Sequence, residues 1–331
     1  MTDVVVGRVR WYAIVFLFVM GACLAEFLTG STPLLRAFSE PIGFAFNLGL
    51  YGGGGLLIRE AALRWGKRWG AVLLLGGAYA VGEEGFAAKT MIDPISPIIG
   101  NQLYSHWMGV NWVPLVDLTV FHAAFSIMVP LLFVELIFPE TKGRRLVGNV
   151  GLAVDVVIYG LTVLILSLYL GDPYRPSLYV TLFLAVYASA FIAAAYLVPK
   201  SFLEARAERP DRRERDFILL GLVFMGGFFL ISGALTPGWI LERFLPWPVT
   251  AVLILPLAGF TAWYLARHAG RSENDIVKVD FVLGMILVFV PIDTIAELSG
   301  DTGVLLFTAL ILAMLLFLRR RVRRPLPSQA H

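Results

Sequence analysis

Residues 149–170 read NVGLAVDVVIYGLTVLILSLYL, 22 positions with a single charged side chain, Asp155. At roughly 1.5 Å per residue, a helix of that length crosses a hydrocarbon core of about 30 Å. The run does not alternate apolar and polar residues, as a barrel strand would. Nine more runs of the same kind lie on either side, at 11–28, 42–58, 69–90, 115–138, 178–198, 217–235, 249–266, 280–297 and 303–318. Over 331 residues the chain is 58% hydrophobic and 15% charged, with mean hydropathy +0.77. Soluble domains carry about 25% charge, so an ordinary cytosolic enzyme is excluded, as is a disordered chain. The expected fold class is all-α: a polytopic integral membrane helical bundle of about ten transmembrane helices, multi-pass in the cell (plasma) membrane. The first run has no clean small-residue cleavage site after it and reads as a retained helix.

Orientation follows from the basic residues. One set of ends holds 23 of the 27, in clusters such as Arg59, Arg64, Lys67, Arg68 and Arg319, Arg320, Arg321, Arg323, Arg324. The opposite loops hold Arg36, Arg175 and Arg243, and Lys89 sits near the outer end of the third run. Both termini are therefore expected in the cytoplasm. The net charge of +3 reflects this topology and does not indicate nucleic-acid binding. The expected partners are the lipid bilayer and a small-molecule or ion substrate. One cysteine, Cys23, cannot form an internal disulfide, so redox compartment stays open, as do cofactor, metal and oligomeric state.

No stretch has room for a soluble domain, so residues 1–331 read as a single membrane domain. The mixed-charge linker 199–216 divides it into a five-helix block over 11–170 and a second block over 178–319, counted with the linker. An odd number of spans per block would make any repeat an inverted one, as in many secondary transporters. The fourth span of each block carries a proline, Pro130 and Pro291. Each should loosen the carbonyl four residues earlier, Ser126 and Leu287. The run Tyr51-Gly52-Gly53-Gly54-Gly55 lacks the GK[ST] ending of a phosphate loop and reads as close helix packing. No HExxH, CxxC or GxSxG motif occurs. The outer segment 91–114, with Tyr104, Trp107 and Trp112, reads as an aromatic belt or a lid, and His106 as a solvated histidine.

Ionisable residues inside spans cost about 2.5–3.5 kcal/mol each, so they face protein or water rather than lipid. Depths counted along the helices place Glu26, Asn47, Glu83, Glu84, His122 and Asp293 in one layer, in the outer half of the membrane. These residues are the candidate ion- or proton-binding set. Two neighbouring carboxylates resist ionising together, which equips one of Glu83 and Glu84 as a base or proton carrier. Side chains adjacent on an α-helix diverge by about 100°, so both glutamates are not expected to face one small cavity equally. Thr119, His122 and Ser126 form one polar stripe facing the bundle. Lys89 is expected to pair with Asp93, and Glu297 to be solvated. Asp155 with Tyr159, and Glu135, lie nearer the inner side and outside the layer.

The glutamate pair Glu83-Glu84, followed by the basic Lys89 and then by His122 on the next helix, resembles the glutamate-dependent intramembrane proteases of the CAAX-prenyl-protease and PrsW-like group. The resemblance covers about residues 79–126. It departs from the group in spacing, EExxxxK instead of EExxxR, and in having one intramembrane histidine. It implies Glu83 as general base, with His122 orienting water or an oxyanion and Glu84 beside them. Two readings thus stand beside a non-catalytic assembly subunit. The leading one is a proton- or cation-coupled secondary transporter. The other is a membrane-embedded hydrolase with Glu83, Glu84 and His122 as catalytic residues.

Overall fold

The structure, a computed structural model, describes residues 3–32, 34, 39–203, 210–232, 244–269 and 275–323. Residues 204–209 of the linker, 233–235 of the seventh run, and Arg36, Arg206, Arg209, Arg243, Arg271 and Arg324 of the charge count lie outside these. The architecture is helical: α1 Asp3–Glu26, α2 Pro41–Asn47, α3 Gly54–Arg64, α4 Trp69–Ala80, α5 Trp112–Phe121, α6 Met128–Ile137, α7 Asn149–Ile165, α8 Leu178–Leu197, α9 Glu214–Ile231, α10 Trp247–His268, α11 Asp275–Leu287, α12 Phe289–Leu298 and α13 Val304–Arg323. Four wider, π-helical segments interrupt or end them: π1 Leu48–Gly53, π2 Val81–Ala87, π3 His122–Ile127 and π4 Leu166–Leu170.

Among the described residues, seven helices are long and apolar enough to cross a membrane: Gly7–Glu26, Pro41–Arg64, Trp112–Ile137, Asn149–Leu170, Leu178–Leu197, Trp247–His268 and Asp275–Leu298. The other three runs are helical but fall short in apolar length. The third carries the glutamate pair, α9 starts with Glu214, Arg215 and Asp216, and α13 ends in four arginines. The most apolar stretch of Asn149–Leu170 is only 11% buried, whereas that of Trp112–Ile137 is 72% buried. The first therefore presents valines and leucines outward, as a lipid-facing helix must, and the second is central. Exposed apolar faces of this extent mark a membrane protein.

The chain divides into two compact units. The first comprises Met1–Ala25, Pro41–Phe202 and Phe228–Gly259. In it α4 packs along α8 and against π3, and α7 packs against π1. The glycine run makes the π1–α7 approach possible. A Cβ on Gly49 would strike the side chain of Thr162, and one on Gly53 would lie 3.3 Å from Asp155 Oδ1. Tight packing at the glycines is thus observed, with Thr162 and Asp155 of α7 beside Gly49 and Gly53, and Phe18 of α1 against Gly52.

The second unit comprises Glu26–Glu40, Leu203–Gly227 and Phe260–His331. Its helices α11 and α12 pack on α13. Gly221 of α9 and Gly284 of α11 bring two backbones together: a Cβ on Gly284 would overlap the carbonyl oxygen of Ile218, and one on Gly221 that of Phe281. A backbone atom cannot swing aside, so Gly284→Ala is expected to destabilise by about 1–3 kcal/mol or more. Thermal unfolding in detergent, compared with Gly259→Ala at a glycine with open space, checks this.

Both prolines stand where a helix restarts. Pro130 and Pro291 each occupy the third position of a restarted helix, α6 and α12, where a missing N–H costs least. Ser126 lies in π3, and Leu287 ends α11 before a turn at Val288.

The segment after π2 folds into two short antiparallel hairpins, Ile95–Ser96 with Gly100–Asn101 and His106–Trp107 with Val110–Asn111. Asn111 is fully buried and ties them down, its amide donating to the carbonyls of Thr90 at 2.8 Å and Asp93 at 2.7 Å. His106 is half-buried and hydrogen-bonded to Asn111 at 2.6 Å, which corrects its reading as a solvated histidine. Trp112 and Trp247 stack, and Trp107 packs against both at a tilt.

Candidate functional site

Glu83, Glu84 and His122 meet in the first unit. His122 Nδ1 lies 3.0 Å from Glu83 Oε2, and His122 Nε2 lies 2.8 Å from Glu84 Oε1. Side-chain exposure is 5% for His122, 4% for Glu83 and 13% for Glu84, so the cluster is secluded. One imidazole is clasped by two carboxylates, one on each ring nitrogen. Adjacent glutamates are not expected to face one small cavity equally; both nevertheless reach the imidazole, Glu83 buried and Glu84 half-buried. Both sit in π2, where Ala88 N–H bonds the Glu83 carbonyl five residues back, at 2.7 Å. The wider turn carries successive side chains round by less than an α-helix does, so both reach the same neighbour. His122 itself opens π3, so each side of the contact stands on a helical irregularity of the kind often found at functional sites.

The surroundings hold the three in place. The Thr90 hydroxyl donates to Glu84 Oε2. Phe121 meets the His122 ring edge-on at 5.6 Å between centroids, and Tyr79 lies at 6.1 Å. Thr119 and Ser126, the rest of the predicted stripe, are buried as expected. Thr119 donates to the Leu115 carbonyl at 2.6 Å, and Ser126 Oγ has no hydrogen-bond partner among the described residues.

The other predicted site residues have partners of their own or none among these three. Asn47 ends α2, half-buried, and is not among the partners of the three. Glu26 and Asp293 belong to the second unit, where each accepts from a threonine hydroxyl, Thr32 and Thr308 respectively. Lys89 does not pair with Asp93 as predicted. Its φ of 59° turns the chain, and its ammonium caps the carbonyls of Ser167, at 2.8 Å, and Asp172. In that loop, outside the spans, burial pushes the Asp172 carboxyl above its usual range. Glu297 is not merely solvated: it accepts from the backbone N–H of Gly303 at 2.9 Å and Leu305 at 3.2 Å, capping the start of α13.

The sequence reading missed Asp117. It is fully buried on α5, and neither carboxylate oxygen has a hydrogen-bond partner among the described residues. Its signal was present, a carboxylate five residues before His122, but it sits at the third position of the run 115–138, where a solvated end is the simpler assumption.

The arrangement brings one oxygen of each carboxylate to the ring: Glu84 Oε1 is hydrogen-bonded to Nε2, whereas Glu83 Oε2 and Nδ1 lie 3.0 Å apart without hydrogen-bond geometry, so proton exchange is direct with Glu84 and needs only a small reorientation with Glu83. It also matches a metal donor set, since one ligand atom from each of Glu83, Glu84 and His122 falls within 4.8 Å of the others. Nitrogen and carboxylate donors suit zinc, manganese or iron. The imidazole could give only one nitrogen to such an ion, and the other would stay with its carboxylate. Comparisons with protein-family models, with curated proteins and with solved structures give no match.

Proposed function

We propose that the chain is a proton- or cation-coupled secondary transporter of ten spans, with both termini cytoplasmic, in the plasma membrane. Its ion-holding site is Glu83, Glu84 and His122. The observation that carries this reading is the single imidazole of π3 held between a buried and a half-buried carboxylate of π2. Such a cluster takes up or releases one proton, or exchanges it for a small cation, while opposite charges stay in contact. Irregular helix turns at the ion site, and helices restarted at Pro130 and Pro291, are the features by which transporters of this class rearrange around a bound ion. Asp293, buried in the second unit, is the carboxylate through which that unit would take part.

The test uses the full chain in liposomes loaded with a pH-sensitive dye, with a potassium diffusion potential as the driving force. The wild type should acidify the interior, and Glu83→Gln and Asp293→Asn should each remove most of that uptake. Uptake no faster than in protein-free liposomes would sink the transport reading.

A second reading is favoured by one specific contact. Glutamates next to each other in sequence, both touching a histidine of the following span, are what the resemblance to intramembrane glutamate proteases implies. Glu83 would then take a proton from water while His122 holds the nucleophile or the oxyanion. In that case Glu83→Gln and His122→Ala cost about 10²-fold or more in hydrolysis, and Asp293→Asn is mild. Tolerance of all three substitutions in both assays would leave the assembly-subunit reading.

A further inference from the structure

Helix α7 is a lipid-facing helix of the first unit, and its only buried residues are Asp155 and Thr162. A helix that turns valines outward and its sole carboxylate inward uses that carboxylate. Asp155 is 3% exposed, and neither of its oxygens has a hydrogen-bond partner among the described residues. Leaving such a group unsatisfied is expensive, so its retention calls for a role.

We infer that Asp155 is a second proton-holding site, connected to Glu83 through the hydroxyls of Tyr159 and Tyr79. This deepens the proposed transport function and rests on it. The three side chains form a chain of neighbours. Asp155 and Tyr159 are four residues apart on one face of α7. The Tyr159 hydroxyl lies against Gly82, next to Glu83, where a Cβ would collide with it. The Tyr159 and Tyr79 rings are 6.0 Å apart, and the Tyr79 and His122 rings 6.1 Å apart. Tyr79 is buried, its hydroxyl has no hydrogen-bond partner among the described residues, and the Glu83 carboxylate is among the charges bearing on both tyrosines.

The glycines make the room. A Cβ on Gly54 would strike the Tyr79 ring and approach Tyr159 Cε2 at 3.3 Å, and one on Gly53 would press on Asp155. On its far side Asp155 feels Glu60 of α3, which lies in an ionic cluster with Arg59 and Arg64. Asp155 thus has Tyr159 beside it on its own helix and the Glu60 charge of α3 bearing on it, while Tyr79 on α4 and Glu83 on π2 lie beyond Tyr159. Together they run from the Glu83–His122–Glu84 cluster to the end of the unit that carries Arg59 and Arg64. Each transfer breaks one O–H bond and forms one. A tyrosine that accepts a proton on its oxygen gives up its own to the next acceptor, so both tyrosines end neutral and the proton held on Asp155 is delivered to Glu83.

The experiment is proton uptake by dye-loaded liposomes carrying the full chain, under a potassium diffusion potential. Asp155→Asn and Tyr159→Phe should each slow uptake about tenfold or more, on the scale of a lost proton-transfer group. Asp155→Glu should retain most of it, and Tyr169→Phe, at an exposed tyrosine, should behave as wild type. Gly82→Ala should slow uptake by displacing the Tyr159 hydroxyl. Elution as a single species after reconstitution separates these losses from misfolding, and recovery in Asp155→Glu does so independently. Fast uptake in Asp155→Asn and Tyr159→Phe, with uptake abolished in Glu83→Gln, would overturn the relay while leaving the transport reading standing. Wild-type uptake at the level of protein-free liposomes would overturn both.

Discussion

Glu60→Ala is expected to destabilise the protein by about 3–5 kcal/mol, the range for removing one member of a buried ion pair. Glu60 is fully buried on α3. One oxygen takes Arg59 at 3.3 Å and the backbone N–H of Leu146 at 2.6 Å, and the other takes Arg64. Arg59 is itself only 6% exposed at its side chain and donates to the Thr141 carbonyl at 2.6 Å. Without Glu60 the guanidinium stays buried beside fewer acceptors, and the loop after Thr141 loses its tie to α3. Unfolding in mixed detergent micelles, followed by helical signal, measures the loss. Glu60→Gln should recover part of it, because the amide oxygen still accepts from Leu146. A loss under about 1 kcal/mol would mean that solvent reaches the cluster and screens it.

The second large effect concerns His122. Removing the imidazole in His122→Ala leaves Glu83 and Glu84 facing a cavity with no cationic or donor group between them. A loss of about 3 kcal/mol or more is expected, from uncompensated buried carboxylates together with the lost ring. The sign of the coupling distinguishes this cause from simple loss of packing. If the carboxylates are the problem, adding Glu83→Gln and Glu84→Gln to His122→Ala should restore stability. Were packing the whole effect, the triple variant would be no more stable than His122→Ala alone. A double-mutant cycle in the same micelles gives the coupling.

Much of this was legible in the sequence. Continuous apolar runs locate helices because backbone groups in lipid must be satisfied within their own segment. Pro130 and Pro291 mark where helices restart because proline lacks the donor that a helix interior requires. The glutamate pair and His122 stood out because charge inside an apolar run is costly. What the sequence did not disclose was direction. A π-turn carries no residue signature, so the roughly 100° separation of an α-helix was the natural assumption for Glu83 and Glu84, and it gave no hint that both would reach His122. Lys89 was assigned to Asp93 by helical spacing, yet the chain turns at Lys89 itself through a positive φ, and spacing arguments end there. Tyr159 stands out only beside Asp155, and nothing in the sequence links Tyr79 or Tyr159 to Glu83. Their importance lies in glycines on other helices that leave space for their rings.

The most direct test of the central claim, that one imidazole bridges two carboxylates, is nitrogen NMR of His122 in lipid nanodiscs. Selective labelling of the four histidines, with His122→Ala for assignment, isolates its two ring resonances. Glu83→Gln should move chiefly the Nδ1 resonance and Glu84→Gln chiefly the Nε2 resonance, because each nitrogen contacts a different glutamate. Resonances that neither substitution moves, in protein that elutes and unfolds like the wild type, would contradict the bridged site and every functional reading built on it.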